Sequence, residues 1–155
     1  MKQLKRTLSI NRKNEDAYLD QYWNEVGGLI ITEVPAGRYI KDGPWPRGSK
    51  IRRMDGVRVL RSNVSDLKNA IVPYKPGNRE HFKSVFKDAE VEIIEIKRKL
   101  NRVVIGQVIV GATMMSIEYD ANPLVKTIVC KIGDPALEII CKQMGIRVWR
   151  VGVND

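Results

Sequence analysis

Three residues of this chain, Asp55, Glu95 and Lys97, combine side-chain types that together can cleave a phosphodiester bond. Asp55 lies in the segment RRMDGVRV, and Glu95 and Lys97 lie in VEIIEIKRKLN. Two carboxylates can hold a divalent cation that activates a water and offsets charge on a phosphate. A lysine beside them can orient that water or stabilise the transition state. The alternative is a salt bridge between Lys97 and one acid, because a Glu-x-Lys triplet by itself is common.

The apolar residues around these side chains predict that both segments are strands. Side chains alternate between the two faces of a strand. Glu95 and Lys97 are therefore expected together at the end of an otherwise apolar face of residues 91–97. The same alternation places Asp55 on an apolar face of residues 51–60, away from the arginines of that segment. We expect the two carboxylates to meet where these strands lie side by side.

A shared metal ion would explain two carboxylates on core-side faces, since a buried carboxylate without a partner is costly. The expected ligands are Asp55, Glu95 and the backbone carbonyl of Ile96. His81 is the single histidine, and the two cysteines, Cys130 and Cys141, have ten residues between them and form no CxxC motif. The predicted cofactor is therefore Mg²⁺ (or Mn²⁺) rather than zinc. The cysteines are predicted to be small core residues in a reducing compartment, which favours a cytoplasmic location.

Three further polar residues are candidates for the same site. Gln107 is the strongly polar side chain in the apolar run 103–115, so we expect a buried amide that needs partners; an exposed stripe of the helix is the alternative. Glu15 is expected on the core-facing side of the first helix, where it either joins the site or stabilises the helix dipole. Glu33 is expected on the core-facing side of the first strand.

The charge of the chain favours a polyanionic partner. The sequence has 27 Lys and Arg against 18 Asp and Glu, a net charge of +9, which favours nucleic acid before an anionic membrane. The run 103–115 is shorter than the ~20 residues of a membrane-spanning helix, so no membrane partner is expected. Trp45 either stacks on a base or covers the edge of the core. The basic residues expected to grip phosphates without sequence preference are Lys50, Arg52, Arg53, Arg58, Arg98, Lys99 and Arg102.

The remaining pattern predicts an α/β domain over residues 14–155, preceded by a basic flexible arm at 1–13. The expected order is α-β-β-insertion-β-α-β-α-β, with a basic insertion at about 61–90. Residues 91–97 should form an interior strand, because both of their faces are apolar and need cover. Helix signals are Asn14, expected to cap the first helix; Asn78, before a short helix with Phe82, Val85 and Phe86 on its apolar side; and Asp134, Pro135 and Gly145 around the last helix.

This combination resembles the PD-(D/E)xK, or restriction-endonuclease-like, nuclease superfamily. The residues that carry the resemblance are Asp55 and Glu95-Ile96-Lys97, followed by the helix VVIGQVIV and the closing GDPALEIICKQMGIRVWRV. In element order it covers about residues 14–151. It implies a mixed central sheet of four or more strands flanked by helices, with Asp55 and Glu95 as metal ligands and Lys97 as the catalytic lysine. Several branches of the superfamily also place a glutamine at the active site from the helix that carries Gln107.

The sequence therefore predicts a metal-dependent nuclease, with DNA a more probable substrate than RNA. Met54 stands where the motif has proline, and forty residues separate Asp55 from Glu95. One alternative is a catalytically inactive nucleic-acid-binding module on the same fold. Another is a structural or interaction protein. Homodimer formation and the choice between endonuclease and exonuclease stay open.

Overall fold

In the computed structural model, which describes residues 13–152, the first helix is followed by three successive strands, after which helices and strands alternate. A short 3-10 turn, Pro76–Asn78, precedes the second helix. Residues 1–12, most of the predicted basic arm, lie outside the described residues. The elements are α1 (Lys13–Val26), β1 (Leu29–Ala36), β2 (Arg52–Arg61), β3 (Ala70–Pro73), α2 (Arg79–Phe86), β4 (Glu90–Lys99), α3 (Arg102–Tyr119), β5 (Asn122–Ile132), α4 (Pro135–Gln143) and β6 (Ile146–Arg150).

The strands form one mixed sheet in the order β3-β1-β2-β4-β5-β6. The pairs β1–β2 and β2–β4 are antiparallel, whereas β1–β3, β4–β5 and β5–β6 are parallel. The predicted α/β class with a mixed sheet flanked by helices is confirmed. The strand predicted as interior, β4, lies between β2 and β5, and it extends beyond the predicted residues 91–97 at both ends.

Both faces of the sheet are covered, which explains the apolar character of β4. Val91 and Ile93 of β4 belong to a core that also contains residues of α2, α3 and α4. Ile94 and Ile96 belong to a second core, formed with residues of α1. The alternation predicted for β4 is therefore confirmed, and Glu92 falls on the α1 face while Glu95 falls on the α3 face.

Helix ends follow the capping residues at two of the predicted positions. The side chain of Asp134 accepts a hydrogen bond from the backbone N–H of Leu137 (3.1 Å), and Pro135 begins α4. Gly145, after α4, has a φ of 70°, a left-handed conformation that suits glycine. The predicted cap Asn14 was wrong, because α1 already includes Lys13 and Asn14.

The insertion at 61–90 contains more structure than its sequence predicts. Its short helix, α2, buries Phe82, Val85 and Phe86 as expected, although the Asn78 side chain makes no capping bond. The segment also contains β3, which pairs with β1 and forms one edge of the sheet. Four residues that end in a proline are too few to show an alternating pattern, so this strand was missed.

Candidate active site

Along β1, the alternation of side chains between the two faces of the sheet is interrupted at Glu33. Leu29 and Ile31 pack into the α3-side core, and so do Val34 and Ala36. The two pairs differ in parity, and between them Glu33 has a φ of 57°, which is uncommon for a residue other than glycine. Glu33 itself is half-buried and lines a cavity together with Glu118 and Tyr119 of α3.

The alternation along β2 is interrupted too, at the residues that face this part of β1. Met54 and Val57 both pack into the α3-side core, although an unbroken strand would put them on opposite faces. Met54 is 1% exposed. The alternation expected for this strand is therefore interrupted between Met54 and Val57, and Asp55, within this interval, is half-buried.

Asp55 contacts the neighbouring central strand, β4. The registered pairs of β2 and β4 end at Gly56 and Ile94, just before Asp55 and Glu95. At this point the Asp55 carboxylate accepts a hydrogen bond from the backbone N–H of Ile96, with a distance of 2.8 Å to Oδ2. The Asp55 carboxylate thus accepts the hydrogen bond from the Ile96 N–H that a backbone carbonyl would accept if the β2–β4 ladder continued. The two predicted acids thus lie on adjacent strands of the sheet.

Glu95 lines a groove under α3, which we call the α3 groove. Its side chain is buried, at 5% exposure. A Cβ at Gly111 of α3 would lie 3.7 Å from Glu95 Oε1 and 3.1 Å from Met54 Cγ, so the glycine lets the helix approach the carboxylate. The groove has a volume of about 480 Å³, and its lining is Arg52, Arg53, Met54, Glu95, Val103, Gly106, Gln107, Val110, Gly111 and Met114.

Gln107 lines the same groove as Glu95, but it is exposed. The prediction of a buried amide was therefore wrong. The prediction assumed that the apolar residues around Gln107 are all buried. One flank of α3 instead faces solvent although it is apolar, with Val103 63% exposed and Val110 50% exposed. An apolar run thus does not imply burial on every side of this helix, and the amide of Gln107 is presented at the mouth of the groove.

Lys97 follows Glu95 by two residues on β4 and is half-buried. Strand alternation places it on the same side as Glu95. It is in register with Cys130 of β5 and does not belong to the lining of the α3 groove. Lys97 therefore lies two residues beyond Glu95, toward the C-terminal end of β4. Glu15, by contrast, is half-buried on α1, the helix that covers the opposite face of the sheet.

Arg58 differs from the other predicted phosphate-binding residues, because its guanidinium is engaged within the fold. It donates to the carbonyls of Gly27 (2.8 Å) and Val26 (3.0 Å) and to Glu92 (3.1 Å). These contacts leave it unsuited to gripping phosphate. The other predicted basic residues are exposed: Lys50, Arg52, Arg53, Arg98, Lys99 and Arg102.

A buried polar cluster around Glu92 was not predicted. Glu92 is fully buried, and its Oε2 accepts hydrogen bonds of 2.5 Å from Tyr22 of α1 and from Thr127 of β5. Burial, and then the charge of Glu92, raise the pKa of Tyr22 far above its ordinary value. Together with Arg58, which holds the carbonyl end of α1, the cluster fastens α1 to the sheet. The sequence feature that could have indicated this cluster is Glu92 itself, a charged residue on the otherwise apolar face of β4 that packs against α1.

The predicted ligands are carboxylate and carbonyl oxygens, which suit Mg²⁺ better than metals that need a complete set of protein ligands. Within residues 13–152 no group of three or more His, Cys, Asp or Glu side chains is arranged to hold a metal ion. Mg²⁺ binds through one or two carboxylates and keeps several waters. Asp55 and Glu95 supply two carboxylates on adjacent strands, and their use as Mg²⁺ ligands together with the carbonyl of Ile96 stays a prediction.

No protein-family model, curated protein or solved structure matches this chain. The resemblance to PD-(D/E)xK nucleases therefore stays a prediction. Among the helices of residues 13–152, none has the length and apolar character needed to cross a membrane.

Proposed function

We propose that this chain is a Mg²⁺- or Mn²⁺-dependent nuclease that hydrolyses phosphodiester bonds in DNA. The observation that carries the proposal is that Asp55 and Glu95 stand on the neighbouring central strands β2 and β4. Glu95 lines the α3 groove, and the Asp55 carboxylate accepts a hydrogen bond from the backbone N–H of Ile96, the residue after Glu95. Two acids on adjacent central strands, next to a groove lined by Arg52 and Arg53, combine metal ligands with cations suited to phosphate.

Each residue has a role that its position supports. Asp55, Glu95 and the Ile96 carbonyl would hold the cation, which when bound activates water and offsets negative charge on the phosphate. Lys97, one strand step beyond Glu95, would orient the attacking water or stabilise the developing charge. Arg52 and Arg53 would hold the phosphate in the groove, and Gln107 would contact the substrate from the groove mouth.

The exposed cations support a binding mode that follows the phosphate backbone. The chain carries a net charge of +9, and six of the seven predicted phosphate-binding residues are exposed. Affinity for DNA should therefore fall steeply with salt and depend little on sequence. A dissociation constant that stays unchanged between 50 and 200 mM salt would contradict this mode of binding.

Two other functions each have an observation in their favour. A nucleic-acid-binding domain without catalysis is favoured by the bond from the Ile96 N–H to Asp55, which gives that carboxylate a structural use. A protein-interaction domain is favoured by the exposed apolar flank of α3, with Val103, Val110 and Ile117 at 63%, 50% and 48% exposure.

Substitutions on β4 separate these functions. Lys97→Ala should lower the cleavage rate on the order of 10²–10³-fold and leave DNA affinity nearly unchanged, because one lysine adds little to a diffuse attraction. Glu95→Gln should abolish cleavage by weakening metal binding. The matched control is Lys131→Ala, which removes an exposed lysine of the neighbouring strand β5 that is not among the predicted phosphate-binding residues, and which should retain cleavage.

The assay measures cleavage of duplex, single-stranded and branched DNA with Mg²⁺ or Mn²⁺, and melting temperatures of the same samples. If Lys97 only forms a salt bridge, its substitution will lower the melting temperature without a selective effect on cleavage. Wild-type protein that cleaves none of these substrates would refute the proposal and leave the two other functions.

A further inference from the structure

A second cavity lies next to the α3 groove, under α2; we call it the α2 cavity. It has a volume of about 420 Å³, within the range of small-molecule sites. Its walls come from the end of β1, the loop 37–51, the start of α2 and the end of α3. Arg53 lines both the α2 cavity and the α3 groove, so a ligand that extends from one into the other would pass this arginine.

Four cationic side chains line the α2 cavity: Arg38, Arg53, Arg79 and Lys83. Among the described residues none of the four forms an ion pair. Arg79 and Lys83 are one turn apart on α2 and so lie on the same side of that helix. Burial raises the pKa of Tyr74 while the charges of Arg79 and Arg38 oppose the rise, so these cations act on the phenol within the same cavity.

The cavity also presents carboxylates, which argues against a simple anion as its ligand. Glu33, Asp42 and Glu118 line it. Glu118 Oε1 accepts bonds from the Gly37 N–H (3.0 Å) and from Trp45 Nε1 (2.6 Å), so Trp45 fastens the loop 37–51 rather than standing out toward solvent.

A nucleotide matches this mixed lining. Its phosphate is an anion for the arginines and lysine, the amino groups of its base are donors for carboxylates, and its ring can lie on an aromatic side chain. A cavity of this size admits one nucleotide but not a base pair within a duplex.

We propose that the α2 cavity binds one unpaired nucleotide of the nucleic acid whose neighbouring phosphodiester lies in the α3 groove. Arg79 and Lys83 contact its phosphate, and Tyr74 contacts its base. The substrate must then present an unpaired nucleotide beside the cleaved bond, as single-stranded, frayed or branched DNA does, because pulling a base out of a duplex costs free energy. This inference rests on the proposed nuclease function.

Binding measurements without catalysis test it. Fluorescence polarisation in EDTA compares the full chain on a labelled single-stranded 12-mer with the same sequence in a blunt hairpin duplex. The wild type should bind the single strand at least about tenfold more tightly. Arg79→Gln/Lys83→Gln should remove most of this preference, and Tyr74→Ala should weaken single-strand binding while leaving duplex binding nearly unchanged.

The control is Lys87→Gln/Lys142→Gln, which removes the same charge from two exposed residues outside the cavity. It should weaken both DNA forms equally and retain the preference. Equal wild-type affinity for the two forms, or equal effects of the two double variants, would overturn the proposal. Cleavage assays on the same samples distinguish the failures: a lost preference with cleavage retained refutes the cavity, whereas a retained preference without cleavage refutes the nuclease.

Discussion

The buried carboxylate of Glu92 allows a quantitative test, because the same two strands carry an exposed counterpart. Arg58 and Glu92 approach to 3.1 Å with side chains 19% and 0% exposed, while Arg61 and Glu90 approach to the same 3.1 Å with side chains 65% and 32% exposed. Both pairs link β2 to β4. The residue types and the distance are matched, but Glu92 also accepts hydrogen bonds from Tyr22 and Thr127 and lies 3.9 Å from Arg147. The comparison therefore measures the whole buried cluster against an exposed pair.

Glu92→Gln keeps the size of the side chain and removes its charge. The hydroxyls of Tyr22 and Thr127 can still bond to an amide, but Arg58 then has no counter-ion. Breaking a buried pair in this way costs about 3–5 kcal/mol, and we expect the lower part of that range because Arg58 retains some solvent contact and two backbone carbonyls. Glu90→Gln should cost about 0–1 kcal/mol.

Urea unfolding of the wild type and the two variants, followed by circular dichroism, gives both differences in the free energy of unfolding. Tyr22→Phe adds an independent measurement, since it removes one hydrogen bond to a charged group, worth about 1.5–3 kcal/mol. Costs for Glu92→Gln and Glu90→Gln that agree within 0.5 kcal/mol would refute the view that this cluster fastens α1 to the sheet.

Two further predictions concern a buried thiol and a helical glycine. Burial raises the pKa of Cys130 from its ordinary value near 9 to about 11, so folding keeps the thiol neutral; this contribution is complete below pH 9 and is lost as the pH rises to 11, about 3 kcal/mol in all. Wild-type protein should lose more stability than Cys130→Ala across that window, and parallel curves would contradict the assignment. Gly106 lies on the exposed side of α3, with no atom within 4 Å of an added Cβ, so Gly106→Ala should raise the free energy of unfolding by about 1 kcal/mol; an unchanged or lower value in the same urea assay would indicate a contact that the structure does not show.

Local patterns in the sequence were sufficient for most elements of the fold. The alternation of β4 places Ile93 and Ile94 on opposite covered faces, and Asp134 and Pro135 start α4, because these signals act over a few residues. The placement of Asp55 and Glu95 on two adjacent strands, β2 and β4, also agrees with the sequence. The identity of the site as a nuclease centre stays a prediction.

What only the tertiary structure decided depends on contacts between residues far apart in the chain. The alternation fails at Glu33 and Asp55 because the neighbouring β1 and β2 change face together, an adjustment that neither strand shows alone. Gln107 is exposed because α3 covers the sheet with one flank only. Arg58 is buried in part because it pairs with Glu92, 34 residues later. The short strand β3 forms through its pairing with β1. Such partners come together only when the chain has folded, so no pattern within a single segment can indicate them.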